Sequence, residues 1–351
     1  MPLWKKIALS VLSVIIALAV LEIVCTVSGL EARYHEPRKY SLFIDPAFDS
    51  CSPYNFYPKS TVRITYDSDP RNYFDPGFSI DHHHNLTGWR GRDHSIRKPV
   101  GTYRILGLGD SFLWGNGVRE EDVCLAKLEK LLQKGREQPR IETVNAAMIY
   151  YNTVNQKELL EYRGLDYDPD CVMVYFALDD VKEEEDMKNP PLEYYRHYAI
   201  ADNSKDVLSN YSSLWGWVRQ RYLFTSQARS HIKTFNGYYR EDSVRWKRCR
   251  QALIDMKTMC RDRNITMMVV IFPYFYSLDK NYPFTAIHDT IRQHCESNGI
   301  LVLDLLPAYK SFKGPELWVH PIDQHPNEIA HGIAAETVAD YVNRHAADLF
   351  P

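Results

Sequence analysis

No Cys-x-x-Cys pair occurs in this chain, so the spacing of a structural zinc site is missing. An excess of one charge is missing too. The net charge of −3 gives no long-range attraction for nucleic acid or an anionic surface, and neither cofactor nor metal is expected. Cysteine is sparse, with seven in 351 residues. Cys25 lies in an apolar N-terminal run and Cys171 reads as a buried thiol in a strand. Cys249 and Cys260 fall about 16 Å apart on one helix, which is too far to bridge. A disulfide drawing on Cys51 or Cys295 would suit an extracytoplasmic compartment. Tyrosine, by contrast, is plentiful at 24, and aromatics reach 13%. Such side chains fill cores first, and some suit contact with carbohydrate or acyl chains. Hydrophobic residues at 45% and charged residues at 25% describe an ordinary globular protein. One α/β domain with insertions accommodates the length.

The N-terminus carries a long apolar run. Lys5 and Lys6 precede Ile7–Leu21, and after Glu22 the run resumes from Ile23 to Leu30. As a helix its 24 positions would span roughly 36 Å, enough to cross a bilayer. The two lysines place the N-terminus in the cytoplasm and the rest outside, in the periplasm or at the cell surface. A cleaved signal peptide is the competing reading, but Val27 and Gly29 make a poor small-residue site. Glu22 and Val24 do not suit a lipoprotein site at Cys25. An anchor over 1–30 is therefore expected, and Glu22 inside it is costly unless it finds a partner.

Residues 31–100 mix Pro, Asp, Tyr and His without sustained periodicity, which reads as an extended segment wrapped on the main domain. From residue 101, short β-rich runs alternate with helical stretches. These are Tyr103–Gly107, Val123–Lys134, Ile141–Ala146, Asn152–Tyr162 and Cys171–Phe176. Trp246–Arg261, Thr266–Phe272, Phe284–Ser297, Ile300–Leu303 and Asn327–His345 follow. The alternation predicts a doubly wound parallel sheet, flavodoxin-like, with functional loops at the carboxyl ends of its strands. Between them, residues 181–240 interrupt the pattern. Lys182-Glu-Glu-Glu-Asp186 reads as a solvated face. Tyr194, Tyr195, Tyr198, Tyr211, Trp215, Trp217, Tyr222 and Phe224 then suggest a helical insertion that caps a substrate.

The chemistry-bearing stretch is Arg104-Ile-Leu-Gly-Leu-Gly-Asp-Ser-Phe-Leu-Trp-Gly-Asn-Gly-Val118. A strand runs into Gly109-Asp110-Ser111 and a helix follows. At such a turn the Ser111 hydroxyl is exposed and its N–H is free to bind an oxyanion. A nucleophilic serine needs a base, and the base needs an orienting group. Pro321-Ile-Asp-Gln-His-Pro-Asn327 offers both, with Asp323 and His325 two apart ahead of a long helix. Asp81-His82-His83-His84 has metal-ligating residue types, but neighbouring histidines on one loop rarely converge, and a polar loop is the preferred reading. Asn85, Asn210 and Asn264 open glycosylation sequons, which matter only in a eukaryotic secretory setting.

These blocks resemble the SGNH/GDSL hydrolase superfamily over roughly residues 101–345. Ser111 stands in the nucleophile block, and Asp323 and His325, followed by Pro326-Asn327, stand in the final block. Asn85-Leu-Thr-Gly-Trp-Arg-Gly91 is similar to the lead-in of anchored bacterial members. The resemblance implies an esterase, deacylase or O-acyltransferase with an acyl-serine intermediate, acting on an acylated glycan or similar ester. A catalytically silent domain that binds glycan or a protein is the alternative. Two positions depart from the pattern. Ala147 and Tyr150 occupy the glycine positions of the second block, and a tyrosine is poorly suited to a turn with φ > 0. In Ala177-Leu-Asp-Asp180, Asp179 replaces the asparagine that would donate to the oxyanion. The resemblance thus puts the oxyanion hole at Ser111, Tyr150 and Asp179; an ionised Asp179 would oppose the charge there, whereas one kept protonated by burial and the neighbouring Asp180 would donate to it. Loss of one donor typically costs about 10²–10³ in rate.

Overall fold

The computed structural model describes residues 2–28, 42–43, 55–66, 68–182, 211–216, 218, 232–275, 278, 281–321 and 323–345. Cys51, Asn210, residues 183–186 and the aromatics Tyr194, Tyr195, Tyr198, Trp217, Tyr222 and Phe224 lie outside them. The chain divides into two compact units. One joins Met1–Pro37 to Pro191–Lys233, and the other joins Arg38–Pro190 to Thr234–Pro351.

In the smaller unit, α1 (Leu3–Ser28) is a 26-residue helix with a mean hydropathy of 2.8 over its most apolar window. It is long and apolar enough to cross a membrane. Its apolar side chains are exposed, and Cys25 alone among them is buried. Glu22 has found partners. Its carboxylate accepts from the Ser212 hydroxyl (2.6 Å) and from the N–H groups of Ser213 (2.5 Å) and Leu214 (3.1 Å).

The larger unit is built on a five-stranded sheet. Its strands are β5 (Thr102–Gly109), β6 (Arg140–Asn145), β7 (Cys171–Ala177), β8 (Thr266–Phe272) and β9 (Leu301–Asp304). All pairings are parallel, in the order β6-β5-β7-β8-β9. The central strands are apolar on both faces, as in Val172-Met-Val-Tyr-Phe-Ala177, so both must be covered. Helices packed on both sides of the sheet provide that cover. Helix α3 (Cys124–Gln133) turns Leu125, Leu128 and Leu132 inward, and it packs beside the C-terminal helix Glu328–Arg344. Helix α4 (Thr153–Tyr162) packs beside Val244–Arg261. The chain reverses direction across the sheet between β5 and β7. In such sheets a ligand crevice opens at that switch point, beyond the carboxyl ends of the strands.

Ahead of the sheet, β1 (Leu42–Phe43) pairs with β2 (Asn55–Phe56), and β3 (Thr61–Thr65) pairs antiparallel with β4 (Ser79–His83). The three histidines fall at the end of this hairpin, where strand alternation separates them. His82 is buried and stacks on Trp114 (4.7 Å), while His83 is exposed. His84 is buried and stacks on Phe56 (3.9 Å). Burial, helped by the Arg90 charge, lowers the His84 pKa to about 3, so it stays neutral. The cysteine expectation needs one correction. Cys295 is a free, fully buried thiol on the helix Thr285–Ser297, and the other five described cysteines are free and buried as well.

Candidate active site

Strand β5 ends at Gly109, and Asp110 caps the helical turn α2 (Ser111–Trp114) by accepting the Phe112 N–H (2.9 Å). Gly109 must be small, because a Cβ there would meet the Leu113 Cβ at 2.9 Å and Tyr175 O at 3.1 Å. As the first residue of the turn, Ser111 has no acceptor within the helix for its N–H. A buried arginine fixes the loop that follows. Arg90 donates to the carbonyls of Trp114 (2.7 Å), Gly115 and Val118, and its guanidinium lies 5.0 Å from the Trp114 ring. His82 Nε2 accepts the Gly117 N–H (3.0 Å). Arg90 thus stands where α2 exposes its last carbonyls.

Strands β10 (Trp318–His320) and β11 (Asp323–Pro326) form a hairpin that carries the other block. His325 Nε2 lies 2.9 Å from Ser111 Oγ, and its Nδ1 lies 2.5 Å from Asp323 Oδ1. The buried aspartate fixes the tautomer, because its carboxylate can only accept the Nδ1 proton; Nε2 is then left to accept from the serine. Asp323 is itself held. The Tyr66 hydroxyl (2.8 Å) and the Asn116 amide (3.1 Å) both donate to its Oδ2. Asn327 caps the final helix through the N–H groups of Ile329 and Ala330, which stops the hairpin from drifting.

The loop after β6 lies against the nucleophile strand, since Met148 N–H reaches Gly109 O (3.1 Å). Tyr150 takes φ +65° in this loop. Poorly suited as a tyrosine is to such a turn, Tyr150 adopts it. The turn is fixed on both sides, by Ala147 N–H on Asn145 Oδ1 and by the Asn152 capping box of α4. Those bonds help offset the roughly 1–2 kcal/mol that a left-handed non-glycine residue costs.

Beyond β7, Asp179 pairs with Lys182 (2.8 Å) and accepts a bond from the Tyr274 side chain. Burial alone would raise its pKa, but the Lys182 ammonium and these bonds outweigh burial and hold it below the usual carboxylate range. Asp110, Asp179 and Asp180 bring carboxylate oxygens within 4.8 Å of one another. Burial, with the neighbouring anions, holds the Asp110 and Asp180 carboxyls well above their ordinary range. The charge in the cluster thus resides on Asp179, opposite Lys182. Aromatic rings adjoin the base. Phe112 lies 5.6 Å from the His325 ring, Tyr274 lies 5.7 Å from Phe112, and Phe235 lies 5.4 Å from Tyr274.

Ser111, Asp323 and His325 are thus brought together from opposite ends of the unit. Sequence reasoning missed Tyr66, Asn116, Lys182 and Tyr274. Of these, Asn116 alone carried a signal, as the centre of a Gly-Asn-Gly turn five residues beyond the serine.

No family model and no curated protein matches the sequence. Among solved structures, the chain is similar to a G-D-S-L family protein from Desulfitobacterium hafniense DCB-2. That match has a TM-score of 0.40 at 14% identity and covers 68% of this chain and 98% of that one. A catalytic mutant of Axe2, an acetylxylan esterase from Geobacillus stearothermophilus, aligns at a TM-score of 0.44 and 15% identity, over 70% and 96%. A two-domain esterase active on acetylated mannans aligns at 0.42 and 13%, over 71% of this chain and 51% of its own. The sheet order makes this a doubly wound parallel α/β fold, with the serine turn after β5 and the Asp-x-His hairpin before the final helix.

Proposed function

We propose that this chain is a serine esterase or deacylase, or an O-acyltransferase, anchored in a membrane with its catalytic domain on the extracytoplasmic side. The observation that carries the reading is the Ser111–His325–Asp323 geometry, assembled across 214 residues of sequence. Ser111 Oγ attacks the ester carbonyl while His325 Nε2 takes its proton. The carbonyl–oxygen bond to the leaving alcohol breaks as His325 returns that proton, leaving acyl-Ser111. Water, or a hydroxyl of an acceptor, then repeats the sequence in reverse. The N–H groups of Ser111 and Tyr150 are the proposed oxyanion donors. The substrate we assign is an acylated glycan or a similar extracytoplasmic ester, following the family resemblance.

A fluorophosphonate probe should label the wild type and not Ser111→Ala, and hydrolysis of p-nitrophenyl acetate should vanish with it. A folded wild type that neither labels nor hydrolyses would sink the enzymatic reading. One feature favours a silent, ligand-binding domain instead. The side chain that the resemblance puts at the donor position, Asp179, has its pKa held low by the Lys182 ammonium against burial. The same experiment separates the two readings. For the anchor, alkaline carbonate should leave the full-length chain in the membrane pellet.

A further inference from the structure

An ionisable side chain inside an apolar span is expensive and persists where it has a partner. The partner of Glu22 is a turn of helix at residues 213–216. That turn has the converse problem, because the first N–H groups of a helix lack acceptors and cannot stay unpaired out of water. Each solves the other. Ser212 caps the turn by accepting the Trp215 N–H (3.0 Å) and donates its own proton to Glu22 (2.6 Å). Ser213 and Leu214 give their N–H groups to the two carboxylate oxygens. Three donors thus converge on one carboxylate, which also lies at the positive end of the turn's dipole.

The depth of this junction follows from α1. Glu22 lies sixteen residues beyond Lys6, about 24 Å along the helix, against a hydrocarbon core about 30 Å thick. With Lys6 at the inner boundary, Glu22 lies about 6 Å short of the outer edge of the apolar layer, and the turn it holds lies near that edge. The turn carries the side chains that suit that edge. Tyr211 is 84% exposed, Trp215 41% and Val218 42%. Tyrosine and tryptophan concentrate where headgroups meet acyl chains.

We propose that residues 211–216, with Val218, form a second membrane-contacting element, seated in the outer headgroup region of a phospholipid bilayer and fixed there by Glu22. The inference rests on α1 spanning the membrane. It is independent of the catalytic assignment.

The test uses the full-length chain in phosphatidylcholine nanodiscs, with or without bromine at acyl positions near the headgroup. The emission difference between wild type and Trp215→Phe isolates Trp215. About twofold quenching of that difference by brominated lipid is expected for a ring at the interface. An unquenched difference overturns the proposal. In parallel, hydrogen exchange at the Ser213 and Leu214 amides should accelerate about tenfold in Glu22→Leu, which remains apolar enough to insert. Exchange equal to wild type removes the junction and the proposal with it. Release of the whole chain by alkaline carbonate would defeat the anchor itself. That failure is distinct from a retained chain whose Trp215 is unquenched.

Discussion

Lys182 offers the sharpest perturbation of the proposed site. Its ammonium lies 2.8 Å from the Asp179 carboxylate, and each side chain is 22% exposed. If Asp179 occupies the donor position, Lys182 is what keeps a full negative charge from facing the developing oxyanion. Lys182→Met removes that compensation. A bare charge about 4 Å from an oxyanion is worth up to about 4 kcal/mol at an effective dielectric near 20. The oxyanion charge is partial and the site partly solvated, so about 1.5–3 kcal/mol remains, a loss of about 10–10² in kcat/KM. Asp179→Asn removes the same charge and adds a donor, leaving Lys182 without its partner. We expect kcat/KM within about tenfold of wild type, with stability reduced by about 1–3 kcal/mol. The double variant, Asp179→Asn with Lys182→Met, should recover most of the activity lost in Lys182→Met. The pH dependence follows from the pKa directions. Lys182 holds the Asp179 pKa low against burial, so its removal lets burial raise that pKa. The ratio of Lys182→Met to wild-type activity should then rise as pH falls and Asp179 takes up a proton. Hydrolysis of p-nitrophenyl acetate from about pH 5 to 9 reads all four proteins. Multiplicative effects, with the double variant as poor as the product of the singles, would refute the reasoning.

Three further perturbations test the frame around the triad. Tyr66→Phe removes one donor from Asp323 and should lower kcat about 5–30-fold with KM unchanged, as an unmade bond to a buried charge costs about 1–2 kcal/mol; an unaltered kcat would exclude that role. Tyr150→Gly relieves the left-handed strain but frees the unfolded chain, so stability should stay within about 1 kcal/mol and activity should persist; inactivation would mean that the ring, not the N–H, matters. At Glu142, burial raises the pKa, but hydrogen bonds from His94 and Arg104 and the Arg104 charge outweigh it and set the value at about 2. Because this pKa is depressed on folding, the stabilisation is full above the unfolded value near 4.5 and is lost as pH falls towards 2. Glu142→Gln should therefore cost about 2 kcal/mol at neutrality, with the gap in Tm closing in acid; a pH-independent gap would contradict the linkage.

The sheet is legible in the sequence where burial is two-sided. β7 and β8 are uninterrupted apolar runs that no surface element would carry. The serine turn and the Asp-x-His block are legible because their chemistry is local. The β3–β4 hairpin is not. Its alternation lasts only five residues per strand, as in Thr61-Val-Arg-Ile-Thr65, and the buried Ile80 sits among polar neighbours. Tyr66 and Asn116 reach Asp323 across 257 and 207 residues, a distance over which no periodicity speaks. Lys182 misled for a different reason. It opens an acidic run and reads with the residues after it, whereas its partner lies three residues before.

Arg90 bears on where this protein can be cut. The repeating strand–helix pattern begins near residue 101, and a truncation placed there would look like a tidy catalytic domain. It would remove the guanidinium that gathers the carbonyls of Trp114, Gly115 and Val118, the imidazole on Gly117 and the phenol on Asp323. Those acceptors would open to water, and the turn that aims Ser111 would lose its backing. Expression trials, homologous swaps and split-protein fusions should therefore keep residues 55–100 attached to the sheet. For this architecture, the working unit of inheritance is longer than the repeat that announces it.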